Sequence, residues 1–171
     1  MARVSEIRHV GYAVTDLAGE AAFYRDTWGL KDAGEKDGML HFAAQGHDEL
    51  YAVRLRQADV QRIDIITLAA DSRADVDALH DKVAAYGCQI VFAPKDLDTL
   101  GGGYGFRFFS KDGLPFEISS DVARGPSREL SRWEGIPQKI SHIVLHSPDH
   151  QEMVRFFTDV LGFKVSDWLG D

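Results

Sequence analysis

One stretch of this 171-residue chain is written twice. A shift of 133 residues lays Ile7, His9, Asp16, Phe23, Asp26, Gly29 and Lys31 on Ile140, His142, Asp149, Phe156, Asp159, Gly162 and Lys164 without a gap. Seven identities in the 25 positions from Ile7 to Lys31, with Val10/Ile143, Tyr24/Phe157 and Leu30/Phe163 as conservative pairs, exceed what shared amphipathicity produces. The chain must therefore be assembled from copies of one supersecondary unit, which narrows its possible folds more than any other feature does.

The unit can be read from its first copy. Ile7 to Val14 alternates as a strand, with Ile7, His9, Gly11 and Ala13 on one face and Arg8, Val10, Tyr12 and Val14 on the other. Asp16 caps a helix carrying Leu17, Ala21, Tyr24 and Trp28 at helical spacing, and Gly29 ends it. A turn-rich stretch from Gly34 to Gly38 then leads to two strands, Met39 to Ala44 and Glu49 to Arg56.

A looser second copy follows, with Asp64 and Asp71 at the positions of His9 and Asp16. Its first strand is Ile63 to Ala69, and Asp71 or Ser72 caps a helix with Val76, Leu79, Val83 and Ala84 inward and Gly87 at its end. Gln89 to Ala93 reads as a strand stopped by Pro94. Gly101-Gly102-Gly103 connects to strands Tyr104 to Ser110 and Pro115 to Ser119.

The organisation is thus a first unit over residues 1–58, a second over 59–121, a linker over 122–138 and an incomplete third unit over 139–171. The linker holds Gly125, Pro126, Gly135 and Pro137, and Trp133 is expected to dock it to a surface. The fold class is α+β, with paired strand-helix-three-strand modules. Each helix should cover the outer face of a curved sheet, with Val10, Tyr12, Trp28, Leu79, Val83, Phe106 and Phe108 buried. Ile143, Leu145, Phe156, Phe157, Leu161 and Phe163 need a surface to pack on, so the third unit should dock on another protomer or be disordered, and the protein should be a homo-oligomer.

Composition excludes several roles. Nineteen Lys+Arg against 27 Asp+Glu give a formal charge of −8, which repels phosphate backbones and argues against a nucleic-acid partner. No run approaches the length of a membrane span, and Glu6, Arg8 and His9 interrupt any signal-peptide core. Cys88 is the single cysteine, so no internal disulfide forms, and a cytoplasmic location is expected.

The chemistry-bearing candidates are few. The strand position occupied by His9 recurs as Asp64 and then as His142, and an imidazole there can ligate Fe, Zn or Mn when other ligands converge. Glu117, between Phe116 and Ile118, faces away from its apolar neighbours and needs a partner, either a metal or an arginine such as Arg107. His142, His146 and His150 have four-residue spacing, but Ser147-Pro148-Asp149 breaks any common helix. The glycine run precedes no helix and lacks a Lys-Ser/Thr, so it is a hairpin connection and not a phosphate loop. Cys88 suits a buried thiol.

Three segments carry a family resemblance: Ile140-Ser-His-Ile-Val-Leu, Ser147-Pro-Asp and Phe156-Phe-Thr-Asp-Val-Leu-Gly-Phe-Lys. They resemble the vicinal-oxygen-chelate superfamily of glyoxalase, bleomycin resistance and dioxygenase proteins, built from βαβββ modules. His142 to Asp167 is similar to the start of the catalytic domain of type I extradiol ring-cleavage dioxygenases, and Gly113-Leu-Pro-Phe-Glu-Ile resembles the end of their N-terminal domain. The resemblance implies Fe(II) held by two histidines and a carboxylate, with a small aromatic diol and O2 as substrates. His142 matches the first ligand, and the others would lie beyond Asp171, so the chain would be an inactive fragment of such an enzyme. The alternative is a two-module glyoxalase or resistance-type protein, with His9, Asp64 and Glu117 at the ligand positions.

Overall fold

The computed structural model describes residues 2–168. The elements run β1 (Glu6–Val14), α1 (Leu17–Ala22), β2 (Lys31–Lys36), β3 (Met39–Ala43), β4 (Val53–Gln57), β5 (Arg62–Ala69), α2 (Arg73–Ala85), β6 (Gln89–Asp96), β7 (Tyr104–Phe109), β8 (Pro115–Ser120) and α3 (His150–Arg155). A π-helical turn extends α1 over Phe23–Thr27, and another extends α3 over Phe156–Val160. The strands form one mixed sheet in the order β2-β3-β4-β1-β5-β8-β7-β6. Its seam is the antiparallel pair β1·β5, and each of these first strands runs parallel to the last strand of its own half, β1 to β4 and β5 to β8.

Local chemistry sets the helix starts. Asp16 Oδ1 accepts from the Gly19 amide at 2.9 Å, Asp149 Oδ1 accepts from Glu152 at 3.0 Å, and Ser72 Oγ accepts from Asp75 at 3.1 Å. Of the two caps expected for α2, Ser72 is the one used.

Helices cover one face of the sheet. On it, Ile66, Leu68, Phe106, Phe108, Phe116 and Ile118 meet Val76, Leu79 and Val83 of α2, and Val14, Phe42, Val53 and Leu55 meet Ala21 of α1. Stacked rings of Phe106, Phe108 and Phe116, 5.5 Å apart in sequence along the row, form the spine of the larger cluster.

Several expectations need correction. Of the stretch Gly34 to Gly38 expected as turns, Gly34 to Lys36 belongs to the strand Lys31–Lys36; its KDAGEK sequence hides the pattern because it is an exposed edge, and only Asp37-Gly38 turns the chain. β6 continues through Pro94, which a sheet edge tolerates because no ladder donor is required on its open side. Ile140–His146, expected as the first strand of the third unit, forms no strand among the described residues, and the eight-stranded sheet contains none of it. Trp28 is 44% exposed and Trp133 80%, so neither is buried or docked as expected.

The third unit docks within its own chain. Phe156, Val160 and Leu161 are buried in the α2 cluster, and the Val4 amide donates to Leu161 O at 2.9 Å. Burying such side chains contributes about 1.5–3 kcal/mol each. The helix therefore needs neither another protomer nor disorder to satisfy its apolar face. Among the described residues, no helix is long and apolar enough to cross a membrane.

Candidate functional site

The face opposite the phenylalanine spine is polar and largely buried. Alternation along β7 and β8 turns Arg107 and Glu117 inward between Phe106, Phe108, Phe116 and Ile118. His41 on β3 and Arg54 on β4 alternate with Phe42, Val53 and Leu55 in the same way. In β1 the pairing steps from Ile7↔Leu68 to His9↔Thr67. Arg8 is the extra residue of this bulge, and both Arg8 and His9 are buried, which a simple alternation does not provide.

Each inward charge has a partner. Arg8 Nη1 donates to Glu49 Oε1 at 2.7 Å, and Arg107 Nε donates to Glu117 Oε2 at 2.6 Å. Asp64 accepts from Arg54 Nη2 at 2.9 Å and from Arg56 Nη2 at 2.6 Å. His9 Nε2 lies 3.0 Å from Thr67 Oγ1, and the Tyr51 ring sits 4.4 Å from His9 and 4.5 Å from His41. Burial, then the Arg54 charge, holds the His9 imidazole well below the usual histidine range, so it is neutral near pH 7. Burial also lowers His41, against a bond to the Gly34 carbonyl that raises it. Tyr51 is pushed up to about 12, by burial first and then by the Glu117 charge. For Asp64, burial pulls upward but is outweighed by the Arg56 hydrogen bond and the Arg54 charge, and its carboxyl ends below the usual range.

This arrangement does not suit a cation. Arg54 and Arg56 take both oxygens of Asp64, Arg107 takes Glu117, and the guanidinium groups supply positive charge where a metal would sit. Among the described residues, no group of three His, Cys, Asp or Glu side chains is assembled to hold a metal, so His9, Asp64 and Glu117 do not converge as a ligand set. Of the two partners open to Glu117, the arginine is present.

His142 lies elsewhere. It is exposed, its Nδ1 is 2.9 Å from Ser141 Oγ, and it lines a cleft of about 410 Å³ with Tyr12, Tyr24, Trp28 and Ile143. His146 is also exposed, and His150 begins α3, so the three histidines share no face of one element. Cys88 is buried, which raises its thiol above the ordinary range and leaves it a poor nucleophile. The glycines at 101–103 join β6 to β7. Sequence reasoning missed His41, Tyr51 and Arg54. The signal for two of them was a polar residue at the alternating position of MLHFA and VRLRQ; Tyr51, in the β3–β4 connection, gave none.

Comparison with known proteins agrees with this architecture. The model of the Glyoxalase/Bleomycin resistance protein/Dioxygenase superfamily matches residues 6–118 and 139–169. The chain is 24% identical to a manganese-dependent 2,3-dihydroxybiphenyl 1,2-dioxygenase of Geobacillus genomosp. 3, with 98% of this chain and 56% of that protein aligned. It is 26% identical to a biphenyl-2,3-diol 1,2-dioxygenase of Paraburkholderia xenovorans, covering 96% of this chain and 57% of the relative. Among solved structures, a Mn(II)-bound glyoxalase from Novosphingobium aromaticivorans superposes with a TM-score of 0.98 at 65% identity, over 100% of this chain and 57% of that one. The 2,3-dioxygenase LapB of Pseudomonas sp. KL28 follows at 0.82 and 25% identity, over 95% and 60%. The chain thus spans little more than half the length of these relatives. With the matched segments taking in both halves of the sheet and the α3 unit, it belongs to the glyoxalase/bleomycin resistance protein/dioxygenase superfamily.

Proposed function

We propose that this chain serves an extradiol dioxygenase, which opens a small catechol-type ring beside its two hydroxyls with O2. The observation that carries the reading is the third unit. It repeats the first from Ile7 to Lys31, includes His142 at the His9 position, and aligns with the diol dioxygenases together with the rest of the chain. On this reading His142 is one ligand of a divalent metal, and the other ligands lie in sequence after Asp171. Fe(II) is the metal the family resemblance implies. Mn(II) fits equally, given the manganese-dependent relative. A lone exposed imidazole does not chelate either ion, so these 171 residues by themselves are expected to be metal-poor and inactive on diols.

A second reading is favoured by the 65% identical neighbour, which is described as a glyoxalase. Under it the protein binds a divalent metal but consumes no oxygen. The alternative ligands His9, Asp64 and Glu117 give it little support, since each is engaged by Thr67 or by arginine.

The test uses protein made from the whole reading frame. Metal content and oxygen uptake are measured with catechol and 2,3-dihydroxybiphenyl. The expected result is about one divalent metal per chain and oxygen consumption, both lost in His142→Ala, with metal retained in His9→Ala. Metal lost in His9→Ala but kept in His142→Ala would overturn the ligand assignment. Metal without oxygen uptake on either diol would favour the glyoxalase reading.

A further inference from the structure

The repeat carries a polar residue at one position of each unit: His9, Asp64 and His142. The residue before it differs in each, being Arg8, Ile63 and Ser141. Only the third copy sets a hydroxyl beside an imidazole in the sequence, and the structure brings the two together. His142 Nδ1 lies 2.9 Å from Ser141 Oγ, and both residues are exposed.

The two histidines are thereby engaged at opposite nitrogens. In the first unit Thr67 Oγ1 is 3.0 Å from His9 Nε2 on the buried inner face, and the preceding residue is the buried Arg8. That Nε2 is spent on the threonine, and a cation stands next to it in sequence. In the third unit, Nε2 of His142 has no hydrogen-bond partner among the described residues, and the residue borders the cleft shared with Tyr12 and Ile143. This nitrogen fits a divalent metal, because it is accessible and its lone pair is available when the proton sits on Nδ1.

Which nitrogen of a neutral imidazole takes a metal is set by the hydrogen bond that the other nitrogen makes. A serine hydroxyl has lone pairs to accept such a bond. We propose that Ser141 is a positioning residue for metal binding. Its Oγ accepts from His142 Nδ1–H, which holds the ring in the tautomer and orientation that present the Nε2 lone pair to the ion. The inference rests on the reading of His142 as a ligand and adds to it the group that prepares that ligand. Partners of this kind act on metal affinity, since they fix the rotation of the ring and raise its basicity.

Two measurements test it. In metal-free protein from the whole reading frame, Mn(II) binding is followed through the EPR signal of the free ion. In the 171-residue chain labelled with nitrogen-15 histidine, NMR at about pH 8.5, above the range in which a free imidazole titrates, reads which ring nitrogen carries the proton. The His142 signals are identified by their loss in His142→Ala. Ser141→Ala should weaken Mn(II) binding about ten- to hundredfold and move the His142 proton from Nδ1 to Nε2. Its Tm should not change, because the side chain is exposed. Ser141→Thr keeps the hydroxyl and should bind Mn(II) as the parent does. Mn(II) affinity unchanged in Ser141→Ala, or a His142 proton whose place does not depend on Ser141, would overturn the proposal; with metal still lost in His142→Ala, the ligand reading would stand. Metal kept in His142→Ala would overturn both.

Discussion

The two faces of the sheet solve burial in opposite ways. The helix-covered face excludes water with rings and aliphatic side chains, and its phenylalanines satisfy each other by contact alone. The inner face buries Arg8, His9, His41, Glu49, Arg54, Thr67 and Glu117 and must give each of these polar groups a particular partner. Apolar packing tolerates small adjustments, whereas a buried charge that loses its partner has no substitute. The difference teaches that the outer face supplies most of the stability and the inner face supplies constraint.

Truncating the spine should be the costliest single change. Phe108→Ala removes the ring between Phe106 and Phe116 and should destabilise the fold by about 3–5 kcal/mol, read as a lower urea midpoint. A loss below about 1 kcal/mol would mean that the spine is loosely packed.

The inner face is probed next by Glu49→Ala, which strands the buried Arg8 guanidinium and should cost about 3 kcal/mol. Arg8→Met combined with Glu49→Leu should recover most of that loss, since an apolar pair of similar size needs no compensation. If the double variant is no better than the single one, the ion pair stabilises in its own right and the contrast between faces weakens.

The smallest effect concerns acid. His9 is held below its usual range in the folded state, so the unfolded chain takes up a proton near pH 6.5 that the folded chain refuses. Its neutral state therefore costs nothing above that pH, and stability falls as the pH drops below it toward the folded-state value. His9→Gln should make the slope of Tm against pH shallower between about pH 7 and 5, with a remainder from His41, which is lowered in the same direction. An unchanged slope would remove His9 as a source of acid sensitivity.

Much of the fold was legible because the relevant signals are local. Asp16 and Ser72 announce their helices, alternation marks β1, β5, β7 and β8, and the repeat exposes the third unit. Other features depend on distant partners. The bulge at Arg8 follows from how β1 meets β5, and the edge position of β6 is what permits Pro94 within it. The docking of Phe156 depends on α2, 71 to 83 residues earlier, and no periodicity within 150–160 contains it. At the inner face, Glu117 announced a need for a partner. Its sequence left a metal and an arginine such as Arg107 both open; the β7·β8 register, where Arg107 and Glu117 stand opposite each other, decides for the arginine.

The placement of β1 also governs how the chain can be made. It is synthesised before the other strands of this sheet and lies at its centre, yet its neighbours are β4 and β5, and the hairpin β2–β3 is no help to it. Until Val53–Ala69 has left the ribosome, Ile7 to Val14 has no native edge to join. Most of its pairing is thus non-local, a topology that folds over about milliseconds to seconds and not microseconds. During that interval an apolar strand with free amides and carbonyls is open to other nascent chains. A strand held between two neighbours at the centre of the finished sheet thus spends the longest part of synthesis with none.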